Sequence, residues 1–197
     1  QALRDGATAE RADAIATYLA FAVDRAADAW SSLASWIQKV EATSHTFTRQ
    51  ALPMVWDFAE ANPFSSSCGN WDDACIGWIY KTLGTVPAYL RGQVRQLDAA
   101  KGELKGNPMF STDPPYYDNI GYADLSDFFY VWLRRSLGKI YPELFSTLLV
   151  PKNQELVATP YRFGGSRERA QQFFEEGFHK AFAQMRRHQH EGYPLTV

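Results

Sequence analysis

The sequence predicts an α/β fold with abundant helix, since apolar stripes of helical period alternate with a few short extended segments. The longest stripe follows Thr8, a suitable helix cap, and repeats apolar residues at steps of three and four up to Ile37. Asp24 lies among the charged residues on the opposite face. The extended segments are 108–112, 146–150 and 193–197. We therefore expect a mainly helical region over 1–100 and a strand-bearing region over 101–197.

Five further helices are predicted from caps, prolines and apolar periodicity. Their predicted bounds are 53–62, 70–84, 87 to about 100, 124–138 and 166–192. Asn70, Asp124 and Ser166 are the predicted caps of three of them. Pro63 ends the first, because the residue before a proline is pushed out of helical geometry.

Composition and charge exclude several classes of protein. The chain has 46% hydrophobic residues, which makes global disorder improbable, and a formal net charge of −2. Binding to nucleic acid therefore needs a local basic patch or a part of the protein outside this sequence. No apolar run approaches the ~20 residues of a membrane span, so we expect no membrane partner. The N-terminus has no apolar signal core, which predicts a cytoplasmic protein.

We assign no metal site. Cys68 and Cys75 alone fall short of the four ligands of a structural zinc site and read as two reduced thiols. His188 and His190 are two positions apart and do not share a helical face.

The run Asp113-Pro114-Pro115-Tyr116 offers the groups needed to methylate the amino group of a nucleobase. That nitrogen is a poor nucleophile, because its lone pair is delocalised into the ring. The Asp113 carboxylate and the Pro114 carbonyl can each accept one amino hydrogen, which restores electron density to the nitrogen. Tyr116 can stack on the base, a contact worth about 1–3 kcal/mol. Prolines fix the carbonyl direction in advance, and the base must leave the duplex to reach the site.

Two observations bear on the specificity of this motif. A given tetrapeptide of this kind arises by chance roughly once in a thousand chains of this length. It also follows an extended apolar segment and precedes an aromatic helix. The alternative interpretation is a rigid Pro-Pro turn with Tyr116 packed on it.

The longer run 113–129 resembles a conserved-motif region of large adenine-specific DNA methylases of bacteria and archaea, which carry a zinc ribbon and are associated with phage defence. The runs 49–64 and 192–197 resemble the same family. This resemblance implies part of a Rossmann-like sheet of a methyltransferase dependent on S-adenosylmethionine (SAM). It also implies adenine in DNA as the substrate, with cytosine second, SAM as cofactor, and a role in restriction-modification alongside other defence proteins.

The chain departs from that family in its glycines. Such enzymes bind the methionine moiety of SAM at a Gly-rich turn after a strand. The nearest run here, Phe163-Gly164-Gly165-Ser166, follows no apolar strand and reads as a loop and helix cap. The chain also lacks a starting Met and the zinc-ribbon cysteines. We therefore expect a C-terminal part of a methylase domain that lacks the SAM-binding half.

Several other residues are candidates with weaker support. Tyr117, Asp118 and Tyr122 flank the motif and are candidates for the base pocket, or for simple loop packing. Asp57 and Glu60 are candidates for contacts to SAM. The candidate DNA-contact patch is Lys152, Arg162, Arg167 and Arg169. Arg134, Arg135 and Lys139 end a helix, where cations favour the dipole, and a phosphate contact is the second interpretation.

Two rival functions remain open at this point. The same chemistry serves amino groups of RNA bases and glutamine amides in proteins, although such enzymes more often begin the motif with Asn. A rival of another class is a non-catalytic helical module that binds DNA or assembles a defence complex.

Overall fold

The computed structural model describes residues 1–86, 89, 92–102 and 106–197, and this part of the chain is mostly helical. Four α-helices, a π-helical segment, a 3-10 helix and one pair of short strands make up its regular structure. In chain order these are α1 (Ala9–Ala29), β1 (Trp36–Ile37), β2 (Ala42–Thr43), the π-helical segment (Trp71–Gly77), α2 (Trp78–Thr85), α3 (Tyr122–Leu137), the 3-10 helix (Pro160–Phe163) and α4 (Arg167–His188).

The prediction of an α/β fold with a Rossmann-like sheet is wrong. Within the described residues the one sheet is the antiparallel pair of β1 and β2, two residues each. Segment 108–112 meets 193–197 only in an isolated parallel bridge between Ser111 and Thr196. Segment 146–150 forms no strand, and the Val150 N–H donates to the Asp127 carboxylate at 2.9 Å. An apolar extended segment becomes a sheet strand only where a neighbouring backbone pairs with it, and local pattern does not show this.

The chain divides into two compact units that are not consecutive in sequence. The first unit comprises Gln1–Leu90 and Asp124–Val150, and the second comprises Arg91–Ala123 and Pro151–Val197. The first crossing between the units falls between residues 90 and 91. The return of 124–150 to the first unit was not predicted.

Helix α1 begins as predicted and ends earlier. The Thr8 hydroxyl accepts the Arg11 N–H, which confirms the cap. The helix stops at Ala29, eight residues short of Ile37, which lies in β1. The Ser31 hydroxyl bonds to the Thr46 hydroxyl at 2.7 Å and accepts the Leu33 N–H at 3.0 Å. Such side-chain bonds give the backbone an alternative to continuing the helix.

The buried face of α1 agrees only in part with the predicted stripe, which includes Ala26. Ala20, Ala22 and Ala26 are buried, and Ala22 and Ala26 pack with Cys75 in a small core. Ile15 and Leu19, on the predicted inward stripe, are exposed. Alanine side chains are small and let the helix approach its neighbours closely. The fit of side-chain volumes therefore decides which face of the helix is buried, more than the summed hydrophobicity of the stripe does.

Asn70 caps the second helical region, as predicted. Its side-chain oxygen accepts the N–H groups of Asp73 and Ala74, and the chain continues through the π-helical segment into α2. Trp30 and Trp71 pack against the core that includes Cys75. Burial raises the pKa of the Cys75 thiol, with a smaller opposing effect from the Arg25 charge. This keeps Cys75 a protonated thiol, as a structural cysteine.

Two predicted helices are not formed in the described residues. Residues 53–62 are non-helical, and the Ala59 N–H donates instead to the Ala34 carbonyl at 2.8 Å. Met54 and Trp56 are 93% and 96% exposed, so no buried apolar face stabilises a helix there. Of the helix predicted over 87–100, residues 92–98 are not helical, and residues 87, 88, 90 and 91 lie outside the described part.

The last two helices follow their predictions closely. Helix α3 begins at Tyr122 rather than after Asp124, which lies in its first turn. The Ser166 hydroxyl accepts the Arg169 N–H and caps α4, as predicted. The predicted inward residues of α4 are all buried or half-buried, and they are Ala170, Phe173, Phe174, Phe178, Ala181, Phe182 and Met185. Among the described residues, no helix combines the length and apolar character needed to cross a bilayer.

Candidate active site

The segment that leads into the Asp-Pro-Pro-Tyr motif is held straight by the C-terminal segment of the chain. The Thr112 N–H donates to the Thr196 carbonyl at 2.9 Å, and the Thr196 N–H donates to the Phe110 carbonyl at 3.1 Å. Further back, the His190 N–H donates to the Pro108 carbonyl at 3.0 Å. These bonds fix the backbone up to Thr112, so Asp113 follows a segment whose position is fixed.

The motif lines an open cavity of about 370 Å³ in the second unit. The cavity is bounded by all four motif residues and by the Tyr122 ring at the start of α3. Tyr116 and Tyr122 are 59% and 44% exposed. The volume lies at the small end of the range of small-molecule sites, about 300–1,000 Å³.

Both predicted acceptors are free of hydrogen-bond donors from the part of the chain that the structure describes. Among the described residues, the Asp113 carboxylate and the Pro114 carbonyl accept no hydrogen bond, and the Asp113 side chain is exposed. Two successive prolines remove two backbone donors from this turn and fix φ at both positions. The Tyr116 carbonyl, in contrast, accepts the Asn119 N–H at 3.3 Å. The cavity wall therefore presents one carboxylate and one carbonyl with unused acceptor capacity.

The flanking candidates divide between the cavity and its surroundings. Tyr122 lines the cavity. The Tyr117 ring meets the Phe174 ring edge-on, with the centroids 5.0 Å apart, and the Tyr117 carbonyl accepts the Ala158 N–H at 2.9 Å. Asp118 is exposed and does not line the cavity. Tyr117 therefore packs within the unit, while Tyr122 faces the cavity.

A largely buried ion pair supports the start of α3, which carries Tyr122. The Arg162 guanidinium donates to the Glu155 carboxylate at 2.8 Å, and the two side chains are 13% and 14% exposed. The other carboxylate oxygen of Glu155 accepts the Ala123 N–H at 2.9 Å. Arg162 also donates to the Lys152 carbonyl at 3.1 Å. Glu155 thus ties the loop after residue 150 to the residue next to Tyr122.

This ion pair changes the interpretation of the predicted DNA-contact patch. The Arg162 side chain is directed into the second unit, where it pairs with Glu155, so it does not belong to a DNA-contact surface. Arg167 and Arg169 are exposed at the first turn of α4, and Lys152 is half-buried. The structure does not bring these four cations into one free patch.

The Phe163-Gly164-Gly165-Ser166 run forms a loop and a helix cap, as the sequence indicates. It follows the 3-10 helix rather than a strand, and Gly164 and Gly165 have φ of 63° and 85°. Neither glycine therefore stands after a strand in the manner of a site for the methionine moiety of SAM. The Gly164–Gly165 turn therefore does not fit that cofactor. Asp57 and Glu60, the other SAM candidates, lie in the first unit with exposed side chains.

Asp24 is a residue whose environment the sequence did not reveal. It was placed on the charged face of α1, yet one of its carboxylate oxygens is buried without a hydrogen-bond partner in the described structure. Desolvation by burial raises its pKa from 3.8 to about 7. Glu155 was likewise missed, because a single glutamate in a loop carries no pattern that distinguishes it.

The described part of the first unit also contains the following two cavities. One, of about 770 Å³, is walled mainly by apolar and aromatic side chains, among them Trp30, Trp71 and Trp132. The other, of about 600 Å³, includes Arg134 and Arg135 in its wall. Within the described residues, no cluster of His, Cys, Asp and Glu could hold a metal ion.

Comparison with known proteins found no match, whether among family models, curated proteins or solved structures.

Proposed function

We propose that the Asp113 to Tyr116 cavity holds a nucleobase turned out of DNA, for methyl transfer from SAM to its exocyclic amino group. The observation that carries this proposal is the pair of unpartnered acceptors, the Asp113 carboxylate and the Pro114 carbonyl, in the wall of an open cavity. An amino group has two hydrogens and needs two acceptors. Adenine is the preferred base and cytosine the second.

The chain's own residues account for holding and activating the base. Asp113 and Pro114 accept the two amino hydrogens and direct the nitrogen lone pair out of the ring plane. Because the prolines hold these acceptors before the base arrives, little reorganisation is needed. Tyr116 stacks on the base, and Tyr122 closes another side of the cavity. SAM supplies the methyl group when bound, at a place other than the Gly164–Gly165 turn.

With a base in DNA as its substrate, the proposed enzyme would be a cytoplasmic member of a restriction-modification or phage-defence system.

Extrusion of a paired base costs a few kcal/mol, and this cost is smallest for mismatched or single-stranded bases. The proposed site therefore favours such substrates in a binding assay. RNA bases and protein amides present similar amino groups and are the comparison substrates.

The test uses an oligonucleotide in which 2-aminopurine stands beside the target adenine, because its fluorescence rises when the neighbouring base leaves the stack. We expect the chain to raise this fluorescence most strongly at a mismatched position. Asp113→Asn replaces one acceptor oxygen by a donor and should reduce the response about tenfold or more, as expected for loss of a charged hydrogen bond. Tyr116→Phe should retain most of the response, while Tyr116→Ala should lose it.

Glu191→Gln serves as the control, since Glu191 is an exposed carboxylate in the same unit and lies outside the cavity. In methyl-incorporation assays with SAM supplied, Asp113→Asn should lower the rate about 100-fold or more. An unchanged rate for Asp113→Asn would refute the assignment.

A non-catalytic assembly module is the second candidate, and one observation favours it. The non-helical stretch around residue 56 exposes large apolar side chains, including Met54 at 93% and Trp56 at 96%. Exposed apolar side chains in this density are typical of surfaces that another protein covers. An unaltered 2-aminopurine signal, together with complex formation that Trp56→Ser abolishes, would favour this candidate.

A further inference from the structure

A cleft with two arginines lies in the first unit, apart from the motif. Four of its residues, Val131, Arg134, Arg135 and Gly138, follow the spacing i, i+3, i+4 and i+7 at the end of α3. Residues with this spacing share one face of a helix. Phe145 and Leu148, from the chain that follows α3, complete the cleft.

One of the two arginines is oriented by the fold. The Arg134 Nε donates to the Phe145 carbonyl at 3.3 Å, while its two Nη groups have no partner among the described residues. The Gly138 N–H donates to the Arg134 carbonyl at 3.1 Å, which fixes the backbone at the same point. A guanidinium anchored through Nε keeps its terminal N–H groups for a ligand, and their planar arrangement matches a phosphate.

The second arginine adds charge without a compensating acid. Arg135 is exposed, and neither it nor Arg134 forms an ion pair with a carboxylate in the described part of the chain. Among the described residues, none of those that line the cleft is acidic. Val131 and Leu148, 46% and 77% exposed, present apolar surface beside the two cations. A sugar-phosphate segment offers matching chemistry, with a phosphate for the arginines and sugar carbons for the apolar wall.

We infer that this cleft binds the phosphodiester backbone of DNA. The choice of DNA among phosphate ligands rests on the proposed function. A formal net charge of −2 supplies no general attraction for DNA, so binding requires a local site of this kind. Arg162, one of the cations predicted from the sequence to contact DNA, forms an ion pair with Glu155 instead.

The test measures the salt dependence of DNA binding by fluorescence anisotropy with a labelled mixed-sequence duplex. Each phosphate contact contributes about 0.9 to the slope of log affinity against log salt. Arg135→Gln should lower the slope by about 1, and the double change Arg134→Gln with Arg135→Gln should lower it by about 2. The affinity of the double variant should fall about 60-fold at 0.1 M salt, as that slope implies.

The matched control is Arg186→Gln with Arg187→Gln. These two exposed arginines also end a helix, α4, and their replacement changes the net charge by the same amount. We expect the control to leave the slope within about 0.5 of the parent value. Arg135→Gln carries the test if the double variant unfolds, since the Arg135 side chain makes no hydrogen bond in the described structure.

Three outcomes would overturn the inference. In the first, the parent chain does not bind DNA, and in the second, the control pair lowers the slope as much as the double variant does. In the third, an oligoglutamate peptide binds more tightly than DNA, and its binding depends on Arg135. The last would assign the cleft to an acidic protein partner. If Arg135→Gln leaves the salt slope unchanged while Asp113→Asn loses the 2-aminopurine response, only the inference about this cleft is refuted. If Arg135→Gln lowers the slope while Asp113→Asn keeps the 2-aminopurine response, only the proposed base-holding site is refuted.

Discussion

Replacement of Glu155 by alanine removes one half of the buried ion pair with Arg162. The two side chains are 14% and 13% exposed, so the Arg162 guanidinium would lose a carboxylate partner at a place with little access to water. Breaking a buried pair in this way costs about 3–5 kcal/mol of unfolding free energy. The Ala123 N–H also loses its acceptor, in a residue that is 7% exposed. Since whole domains are stable by only about 5–15 kcal/mol, Glu155→Ala should unfold much of the second unit.

Glu155→Gln separates the two contributions. The amide oxygen still accepts the Ala123 N–H, while the charge that faces Arg162 is lost. We expect this variant to cost about 1–3 kcal/mol, less than Glu155→Ala. Because Glu155 acts next to Tyr122, the glutamine variant should retain the 2-aminopurine response at low temperature.

The assay must report on the second unit. All six tryptophans lie in the first unit, so their fluorescence follows the wrong part of the chain. Hydrogen exchange of the α4 amides reads the second unit directly. The matched control is Glu176→Ala, which breaks an exposed pair with Lys180 at 3.7 Å and should cost less than about 1 kcal/mol. Equal protection of α4 in the Glu155→Ala and Glu176→Ala variants would show that the Glu155 pair contributes no more than a surface pair.

Two other predictions concern stability. Because the pKa of Asp24 is raised from 3.8 to about 7, the folded state binds more protons than the unfolded state between about pH 4 and pH 7, and stability falls as pH rises through that window. Asp24→Asn should flatten this pH dependence and stabilise the first unit at pH 8 by about 1 kcal/mol, after allowance for solvent screening. Urea unfolding followed by tryptophan fluorescence measures the free energy of unfolding at each pH. Parallel pH profiles of the parent chain and the variant would contradict the prediction. Gly165→Ala should cost about 1–2 kcal/mol, because Gly165 has a φ of 85° that alanine adopts only with strain. Gly84→Ala, within α2 and in open space, should instead stabilise by about 0.5–1 kcal/mol, and equal signs for the two substitutions would refute the backbone argument.

Part of the candidate site was readable from the sequence. The order carboxylate, proline carbonyl and aromatic ring is a property of four consecutive residues, and prolines restrict their backbone whatever surrounds them. The sequence did not distinguish Tyr117 from Tyr122, since both flank the motif. Packing decides between them, because Phe174 of α4 engages the Tyr117 ring and leaves Tyr122 at the cavity.

The sequence by itself determined where several helices begin. Thr8, Asn70 and Ser166 each accept an N–H three residues further along the chain, and such contacts need no distant partner. Only the tertiary structure decided that 108–112 meets Thr196 in a single bridge, that α1 stops at Ala29, and that Arg162 is directed inward. These outcomes depend on groups far apart in the chain, and strand pairing and burial have no signature within a local window of sequence.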